Sequence, residues 1–334
     1  MTVMKADRRN MRRKGLVILA PLLLLLATFY GLSYGSVPIS LQEIWAVFTT
    51  DSQPLHEKII YNLRFPRVLI GLLVGACLAA SGALLQGVMK NPLADPGVIG
   101  VSAGGGLAAI ISMIVFPQYS YLLPAVAFLG SLATSIVIYL LAWDKGASPL
   151  KIVLAGVAIN ALLGAGTNGF MVVFSDRVQA VLPWLAGGLS GKSWHHLSFM
   201  APYAIAGLAA CVFAIKPSNL MLLGDDSAQL LGQRVEAQRL FIILLSSLLA
   251  GTAVSVGGLI GFVGLVVPHA IRILVGDDYR YLLPLSVIGG ASLVVLADTI
   301  ARSWFDPIEL PVGILLAALG APFFLYLLKK RRIA

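Results

Sequence analysis

Long apolar stretches, separated by short polar segments, repeat along almost the whole chain. Each stretch carries few charged residues and approaches the roughly 20 residues that an α-helix needs to cross about 30 Å of hydrocarbon. The pattern predicts ten membrane-spanning helices, near residues 15–35, 66–88, 98–116, 121–143, 150–174, 197–215, 239–257, 259–275, 281–301 and 311–328. We therefore predict an all-α integral membrane protein in which residues 1–334 form a single transmembrane domain.

Basic residues cluster at both ends of this apolar region. The first 14 residues are rich in Lys and Arg, and residues 329–332 are all Lys or Arg. An even number of spans places both ends on one side of the membrane, and positive charge favours the cytoplasmic side. With both termini in the cytoplasm, most of the 24 Lys and Arg residues also lie on that side. The charges therefore predict a cytoplasmic N-terminal segment (1–14) and support the count of ten spans.

The composition agrees with a membrane protein. Hydrophobic residues make up 58% of the chain, the mean hydropathy is +0.90, and only 12% of the residues are charged. Soluble domains carry about 25% charged residues. The net charge of +9 is concentrated at the two ends of the chain. We therefore predict contact with membrane lipid and no binding of nucleic acid.

No pattern typical of an enzyme or a metal centre occurs in the sequence. Cys77 and Cys211 lie inside apolar stretches, where cysteine usually packs as a small hydrophobic residue. The stretch AGGLSGKS (186–193) is similar to a relaxed phosphate-binding loop, but it follows an apolar segment and falls on the outer side. We interpret residues 183–191 as a short helix and turn that dip into the membrane. We predict no catalytic residue, no metal site and no cofactor in this chain.

The stretch KNPLADPGVIGVSAGGG (90–106) interrupts an otherwise helical apolar region. Each proline disfavours helical backbone at the residue before it. Irregular backbone at membrane depth is tolerated only against protein or beside a water-filled cavity. Two interpretations stay open: a plain cytoplasmic turn, or a constriction in a pathway formed by the polar Asn91 and the apolar Leu93.

Two segments outside the predicted spans have short helical patterns. Residues 36–67 fall on the outer side, and we predict an amphipathic helix there whose apolar face is formed by Leu41, Ile44, Trp45 and Phe48. Residues 216–238 fall in the cytoplasm and contain LGDDSAQLLG. Residues 225–227 suit the N-cap and first turn of a helix, an apolar face follows at Ala228, Leu230 and Leu231, and Gly232 is a natural stop. So short a helix is marginal alone, so we expect it to need the groove of a partner.

Five stretches together carry a resemblance to a known family: NLRFPRVLIGLLVGACLAASGALLQGVMKNPLADPGVIGVSAGGG, LAGVAINAL, LGDDSAQLLG, GLIGFVGLVVPHAIR and ADTIARSWFDPIELPVGILLAALGAPFF. They resemble the ABC importer permeases for iron-siderophores, haem and vitamin B12, from about residue 15 to the C-terminus. The resemblance implies a multi-pass location in the bacterial cell membrane and a second permease subunit, identical or similar. It also implies a cytoplasmic ATP-binding-cassette ATPase that holds ATP and Mg²⁺, and an extracytoplasmic binding protein that delivers the ligand.

The resemblance also implies roles for two cytoplasmic regions. Asn91 and Leu93 in one loop, and Ser148 and Leu150 in another, correspond to a cytoplasmic gate. Pro149 departs from the family pattern, and because proline has no N–H to donate, the contacts of the second loop stay open. The cytoplasmic helix resembles a coupling helix seated in a cleft of the ATPase, although a plain linker helix would show the same local pattern. Its predicted coupling residues are Gly224, Ser227, Ala228, Leu231 and Gly232.

Three arginines form the sharpest charge feature on the outer side. Arg64 and Arg67 stand where the second predicted span begins, and Arg302 follows the ninth. They could anchor helix ends at lipid headgroups, with Asp298 paired to Arg302 four residues away. In the family that the chain resembles, arginines at matching positions bind acidic residues of the binding protein. We predict this docking role, at a solvated rim.

These patterns and the resemblance predict a permease subunit that translocates an iron-siderophore complex and has no enzymatic activity of its own. Haem and vitamin B12 stay open as cargo. A permease for bare metal ions would be expected to place His, Asp or Glu along its spans, where they are scarce. An ion-coupled secondary transporter would need an intramembrane carboxylate relay, for which Asp298, near the surface, is the one candidate.

Overall fold

The computed structural model describes residues 2–35, 37, 39–49, 54–144, 146, 148–305 and 308–330. Within these residues the fold is a bundle of helices without a β-strand. In chain order the α-helices are α1 (Thr2–Ser33), α2 (Leu41–Thr49), α3 (Pro54–Glu57), α4 (Phe65–Val88), α5 (Val101–Val115), α6 (Leu123–Leu141), α7 (Pro149–Val173), α8 (Val178–Leu185), α9 (Trp194–Met221), α10 (Asp225–Leu230), α11 (Val235–Gly257), α12 (Val263–Val275), α13 (Tyr279–Ser303) and α14 (Val312–Lys330). A π-helix (Lys58–Arg64) leads directly into α4, and a 3-10 turn (Pro96–Ile99) precedes α5.

Each of the ten apolar segments predicted from the sequence coincides with a helix. In the described part of the chain, seven helical segments are long and apolar enough to cross a membrane: Met11–Ser33, Lys58–Val88, Pro117–Leu141, Pro149–Val173, Trp194–Met221, Val235–Gly257 and Tyr279–Ser303. Three more are apolar but shorter: Val101–Val115, Val263–Val275 and Val312–Tyr326. The all-α membrane fold is therefore confirmed, whereas ten crossings and cytoplasmic termini stay predictions.

Three helices extend well beyond their predicted bounds. The first is α1, which begins at Thr2 rather than near residue 15, so that the predicted N-terminal segment (1–14) is helical from Thr2 onward. The helical segment that contains α4 begins at Lys58 rather than near residue 66, because Arg64 is buried inside the protein instead of ending the helix at the surface. At its far end, α9 continues to Met221, since Ser218 and Met221 are buried against the bundle. The cytoplasmic loop predicted at 216–238 is correspondingly shorter, and the chain between α9 and α11 holds only α10 and its flanking turns.

The amphipathic helix predicted within residues 36–67 forms as α2, but its predicted apolar face is only partly correct. Ser40 and Glu43 bond to each other's backbone and side chain at the start of α2, as in a capping box. Ile44 is buried, whereas Trp45 is 72% exposed, because adjacent residues of a helix point about 100° apart. The side chains of Leu41 and Phe48 lie outside the described part of the structure.

The central helix of the bundle is α4, and most of its side chains are buried. A Cβ atom at Gly75 would overlap the carbonyl group of Gly290 in α13, and one at Gly82 would overlap that of Gly264 in α12. The three helices therefore approach one another backbone to backbone. Close van der Waals packing holds membrane helices together, since lipid tails are as apolar as the side chains they would replace.

Three irregular segments meet beside α8 and satisfy one another's backbone groups. The N–H of Gly188 donates to the carbonyl of Gly257, and the N–H of Gly313 donates to the carbonyl of Gly187, each at 2.9 Å. Lipid offers no such partners, so non-helical backbone inside a membrane has to find them in the protein. The turn lies within the predicted stretch 183–191, whereas the short helix α8 begins earlier, at Val178, and ends at Leu185. That this segment dips into the membrane stays a prediction.

Replacing Gly82 by alanine places a methyl group where the Gly264 carbonyl lies. We expect the free energy of unfolding to fall by about 1–3 kcal/mol, as is typical of an overpacked core. The measurement is the midpoint of thermal unfolding of the detergent-purified protein, which should be lower. Gly15→Ala is the matched control, because nothing lies within 4 Å of a Cβ at that position. Equal midpoints for the two variants would contradict the close contact of α4 with α12.

Candidate functional site

The interruption after α4 is an ordered turn. The N–H of Lys90 bonds to the carbonyl of Gly87 at 3.2 Å, and that of Asn91 bonds to the carbonyl of Gln86 at 3.1 Å. These two bonds form the Schellman motif that commonly ends a helix. The Asn91 side chain then accepts a hydrogen bond from the N–H of Leu93 at 2.9 Å. The predicted gate residues Asn91 and Leu93 therefore belong to an ordered loop. Leu93 is 40% exposed on the surface of this loop.

The same loop continues into the 3-10 turn through a side chain that the sequence did not single out. Asp95 caps this turn by accepting a hydrogen bond from the N–H of Gly97 at 2.8 Å. Burial raises the pKa of the Asp95 carboxyl group, and the bond from Gly97 offsets part of this effect. The X-Pro pattern predicted the break in the helix, and Asp followed by Pro is also a usual pattern for an N-cap and first helical residue, a signal that could have identified Asp95 from the sequence.

The second predicted gate loop leads into α7. Ser148 is the N-cap, and its hydroxyl accepts a hydrogen bond from the N–H of Lys151 at 3.2 Å. Pro149 occupies the first helical position, where a missing N–H costs nothing because that group has no partner within the helix. The departure from the family pattern is therefore compatible with the loop, and Leu150 stands 68% exposed beside it.

The start of α7 packs on the first loop. A Cβ atom at Gly156 would overlap the carbonyl of Val98, and the Asn160 side chain donates to the carbonyl of Gly97 at 2.9 Å. The structure thus joins the two predicted gate loops through one helix. The rest of α7 is largely exposed, and Asn168 lies on its exposed surface.

The predicted coupling helix is α10, with two corrections. Its N-cap is Gly224 and not an acidic residue, although Asp225 and Asp226 do occupy the first turn. The predicted apolar face is divided, because Ala228 is fully buried while Leu230 and Leu231 are 89% and 58% exposed. The remaining coupling residues lie at the surface and at the end of the helix: Ser227 is exposed and Gly232 follows with a φ of +79°. Two leucines next to each other therefore face solvent.

An ion cluster that the sequence did not predict surrounds the start of α10. Lys90 Nζ lies 2.9 Å from Asp225 Oδ1, and Arg239 Nη2 lies 2.7 Å from Asp225 Oδ2. Arg239 also pairs with Glu236. Burial raises the pKa of Asp225, but the bonds from Lys90 and Arg239 outweigh it, so that the pKa lies below its ordinary value. Asp225 is therefore ionised at neutral pH.

At the opposite end of α4, Arg67 is the centre of a buried ion cluster. Its guanidinium group binds both carboxylate oxygens of Asp298, at 2.9 and 3.0 Å, and Glu309 at 2.9 Å. Arg302 Nε lies 3.8 Å from Asp298. The predicted pairing of Asp298 with Arg302 is therefore secondary to a bidentate pairing with Arg67.

The other two arginines bond the carbonyl groups at the end of α1. Arg64 donates to Leu32 and Ser33 at 2.8 and 2.9 Å, and Arg302 donates to Gly31. These bonds satisfy carbonyls that have no partner within their own helix. Arg64, Arg67 and Arg302 are only 4%, 8% and 4% exposed. The expectation of a solvated rim is therefore wrong, because the guanidinium groups turn inward, and the docking role stays a prediction.

A cavity of about 360 Å³ opens beside this cluster, and its walls contain more positive than negative side chains. The charged residues that line it are Arg64, Arg67, Lys192, Arg302 and Glu309. Burial lowers the pKa of Lys192 to about 8. Burial would raise the pKa of Glu309, but Arg67, Ser190 and Arg302 together outweigh this effect and keep the pKa below its ordinary value. The sequence drew attention to Lys192 only as part of a false phosphate-binding loop.

A helical membrane bundle with ordered non-helical loops inside it and an exposed short helix at one end is the architecture of a transport permease. The chain belongs to the FecCD transport family, which matches residues 23–330. Its relatives are permease subunits of ABC import systems, in which ATPase activity belongs to a separate subunit. The family therefore implies an ATPase and a binding protein as partners.

The relatives are named for different transported compounds. The chain is 40% identical over 331 residues to the Fe(3+)-citrate import system permease protein YfmE of Bacillus subtilis (strain 168), covering 98% of both chains. It is 40% identical to the hemin transport system permease protein HmuU of Yersinia pestis, covering 93% of this chain and 94% of the relative. A solved inward-facing ABC transporter, described as of the metal-chelate type, is 29% identical with a TM-score of 0.84, covering 95% of this chain and 99% of that chain.

Replacing Arg67 by methionine leaves the Asp298 carboxylate buried, with a side chain only 5% exposed. We expect the free energy of unfolding to fall by up to about 3–5 kcal/mol, because breaking a buried pair is strongly destabilising and Arg302, 3.8 Å from Asp298, is a weaker partner for it. The measurement is the yield of monodisperse protein by size exclusion. The double variant Arg67→Met/Asp298→Asn, which removes both charges, should recover much of that yield. A single variant as well folded as the native chain would contradict the structural role of the pair.

Proposed function

We propose that this chain is the permease subunit of an ABC importer that moves an iron-siderophore complex across the cell membrane. The observation that carries the proposal is the match to an Fe(3+)-citrate permease along 98% of both chains. Ferric citrate and siderophores share the chemistry of iron held by an oxygen-rich chelator. A binding protein delivers the chelate on the outer side, and it passes between two permease subunits.

The proposed subunit has ten spans with both termini in the cytoplasm, and it pairs with an identical or similar permease. The exposed length of α7 supports this pairing, since a polar residue such as Asn168 avoids lipid when it faces protein or a watery pathway. Ten spans require that each of the three shorter apolar helices crosses the membrane as well. Their irregular ends are tolerated because they are satisfied within the protein.

The proposed gate is formed by Asn91, Leu93, Ser148 and Leu150. Leu93 in the loop after α4 and Leu150 in the first turn of α7 are exposed apolar side chains, and α7 bonds to the end of that loop through Asn160. Apolar side chains can close and open a passage without gaining or losing hydrogen bonds. In the proposed mechanism these loops separate when ATP binding or hydrolysis moves the coupling helix α10.

The proposed ATPase contact is the exposed end of α10. Leu230 and Leu231 stand in solvent on a helix too short to be stable alone, which supports a role in filling a groove of a partner. ATP and Mg²⁺ belong to that partner in this proposal. On the outer side, the positive cavity around Arg64, Arg67 and Arg302 supports docking of acidic residues of the binding protein.

Haem is the second candidate cargo, and the specific support for it is the 40% identity to a hemin permease. Reconstitution of the chain with its cognate ATPase and binding protein in proteoliposomes distinguishes the two. We expect ATP-dependent uptake of a ferric chelate, measured with ⁵⁵Fe-citrate and ⁵⁵Fe-hydroxamates, in preference to hemin. Uphill accumulation by the chain without any ATPase would refute the importer proposal itself.

Replacing Leu230 by serine removes an 89% exposed apolar side chain from the proposed contact. Burying a leucine stabilises by about 1.5–3 kcal/mol, so we expect roughly ten- to hundredfold weaker binding of the ATPase and little of it co-purifying. Trp304→Ser is the control, since Trp304 is 73% exposed at the other end of the bundle. Undiminished co-purification with Leu230→Ser would argue against this surface.

A further inference from the structure

A continuous chain of ion pairs links the predicted gate loop to the predicted coupling helix. Lys90 immediately precedes gate residue Asn91, and its ammonium group lies 2.9 Å from Asp225, the first residue of α10. Asp225 in turn lies 2.7 Å from Arg239 in α11. The carboxylate of one residue thus holds two elements that the sequence separates widely.

The two bonds of Asp225 differ in strength. The Arg239 side chain is only 3% exposed, so its bond to Asp225 is protected from water. The side chains of Lys90 and Asp225 are 42% and 37% exposed, and an ion pair so open to solvent contributes little free energy and is screened by salt. The start of α10 is therefore firmly attached to α11 and only weakly attached to the gate loop.

The backbone of Lys90 is strained at the same place. Its φ of +48° lies in the left-handed region, where residues with a Cβ atom are strained and glycine is usual. A glycine here would close the helix with less strain but would have no side chain to reach α10. The ion pair with Asp225 is the interaction that lysine supplies here and glycine cannot.

The chain of charges also reaches the second loop. Arg239 pairs with Glu236, and the Glu236 carboxylate lies against Gly146, where a Cβ atom would come within 3.2 Å of it. Gly146 shortly precedes the gate residue Ser148. Both predicted gate loops therefore touch one set of charged side chains that begins on α10.

We infer that the Lys90–Asp225 ion pair transmits the movement of α10 to the gate loop, with Lys90 and Asp225 as positioning residues. The inference rests on the proposed function. When the ATPase displaces α10, the Asp225 carboxylate moves away from the Lys90 ammonium group, and this exposed pair separates before the bond to Arg239 does. Once the pair separates, the loop is released from α10, which permits the gate to change state.

A cysteine reporter in the gate tests this link without knowledge of the cargo. In the complex with its ATPase, Leu93→Cys is labelled with a water-soluble maleimide, with and without ATP. The native cysteines, Cys77 and Cys211, are buried and add little background. We expect ATP to change the labelling rate when Lys90 is present. Lys90→Met should reduce this response by about fivefold or more, the lower end of typical coupling between sites, while ATP hydrolysis continues.

Two further variants separate the ion pair from other effects. Lys90→Gly relieves the backbone strain but also removes the ammonium group, so we expect it to lose the response as Lys90→Met does. Lys216→Met, which removes an exposed lysine outside the ion chain, should leave the response unchanged. In an Asp225→Asn background, Lys90→Met should cause no additional loss.

The outcomes distinguish the inference from the proposed function. A native response in Lys90→Met or in Lys90→Gly overturns the inference, because the ammonium group would then be dispensable. Absence of a co-purifying ATPase, or of any ATP response while Lys90 is present, overturns the proposed function instead.

Discussion

Every backbone N–H and C=O group inside the membrane has to bond within the protein, and this constraint determines where the chain can leave the helix. The loop after α4 leaves it through a Schellman motif and a turn capped by Asp95. The segments around Gly187 and Gly257 leave it at a junction where they bond each other. At the junction a neighbouring backbone supplies the missing partner, whereas the loop after α4 satisfies its own groups through local bonds. In both cases the chain leaves the helix where other groups of the protein satisfy its backbone.

Charges follow a related rule, with different results at the two ends of α4. At one end, the side chains of Arg67 and Asp298 are only 10% and 5% exposed. They bond through two parallel hydrogen bonds, which is the strongest arrangement for an ion pair. At the other end, Lys90 and Asp225 meet through a single contact in partial solvent. Removing one partner of the first pair leaves an uncompensated buried charge, whereas the second pair can separate into water. One end of the bundle is therefore rigid, and the other is able to rearrange.

The sequence predicted the features that depend on local chemistry. The length of the apolar stretches predicted the helical segments, and the two prolines, Pro92 and Pro96, predicted the break after α4. Gly232 predicted the end of α10. It did not predict contacts between residues distant in the chain. Asp298 stands four residues from Arg302, so local spacing favoured that pair, but the fold brings Arg67 closer from 231 positions away. The same reason hid the burial of the outer arginines and the pairing of Lys90 with Asp225, because no periodicity reports which helices become neighbours.

These contrasts bear on how such a protein can change state repeatedly. A switch needs two arrangements that differ by only a few kcal/mol, so the contacts broken in each cycle have to be weak. An exposed ion pair such as Lys90–Asp225 stabilises the structure by about 0–1 kcal/mol. The left-handed backbone of Lys90 destabilises it by a strain energy of similar size. Together these two terms leave the end of α4 close to balance. The buried cluster around Arg67 has no comparable opposing strain in its backbone, so movement that begins at α10 is expected to be absorbed at Lys90 and the loop beyond it, while the helix and its outer end keep their places.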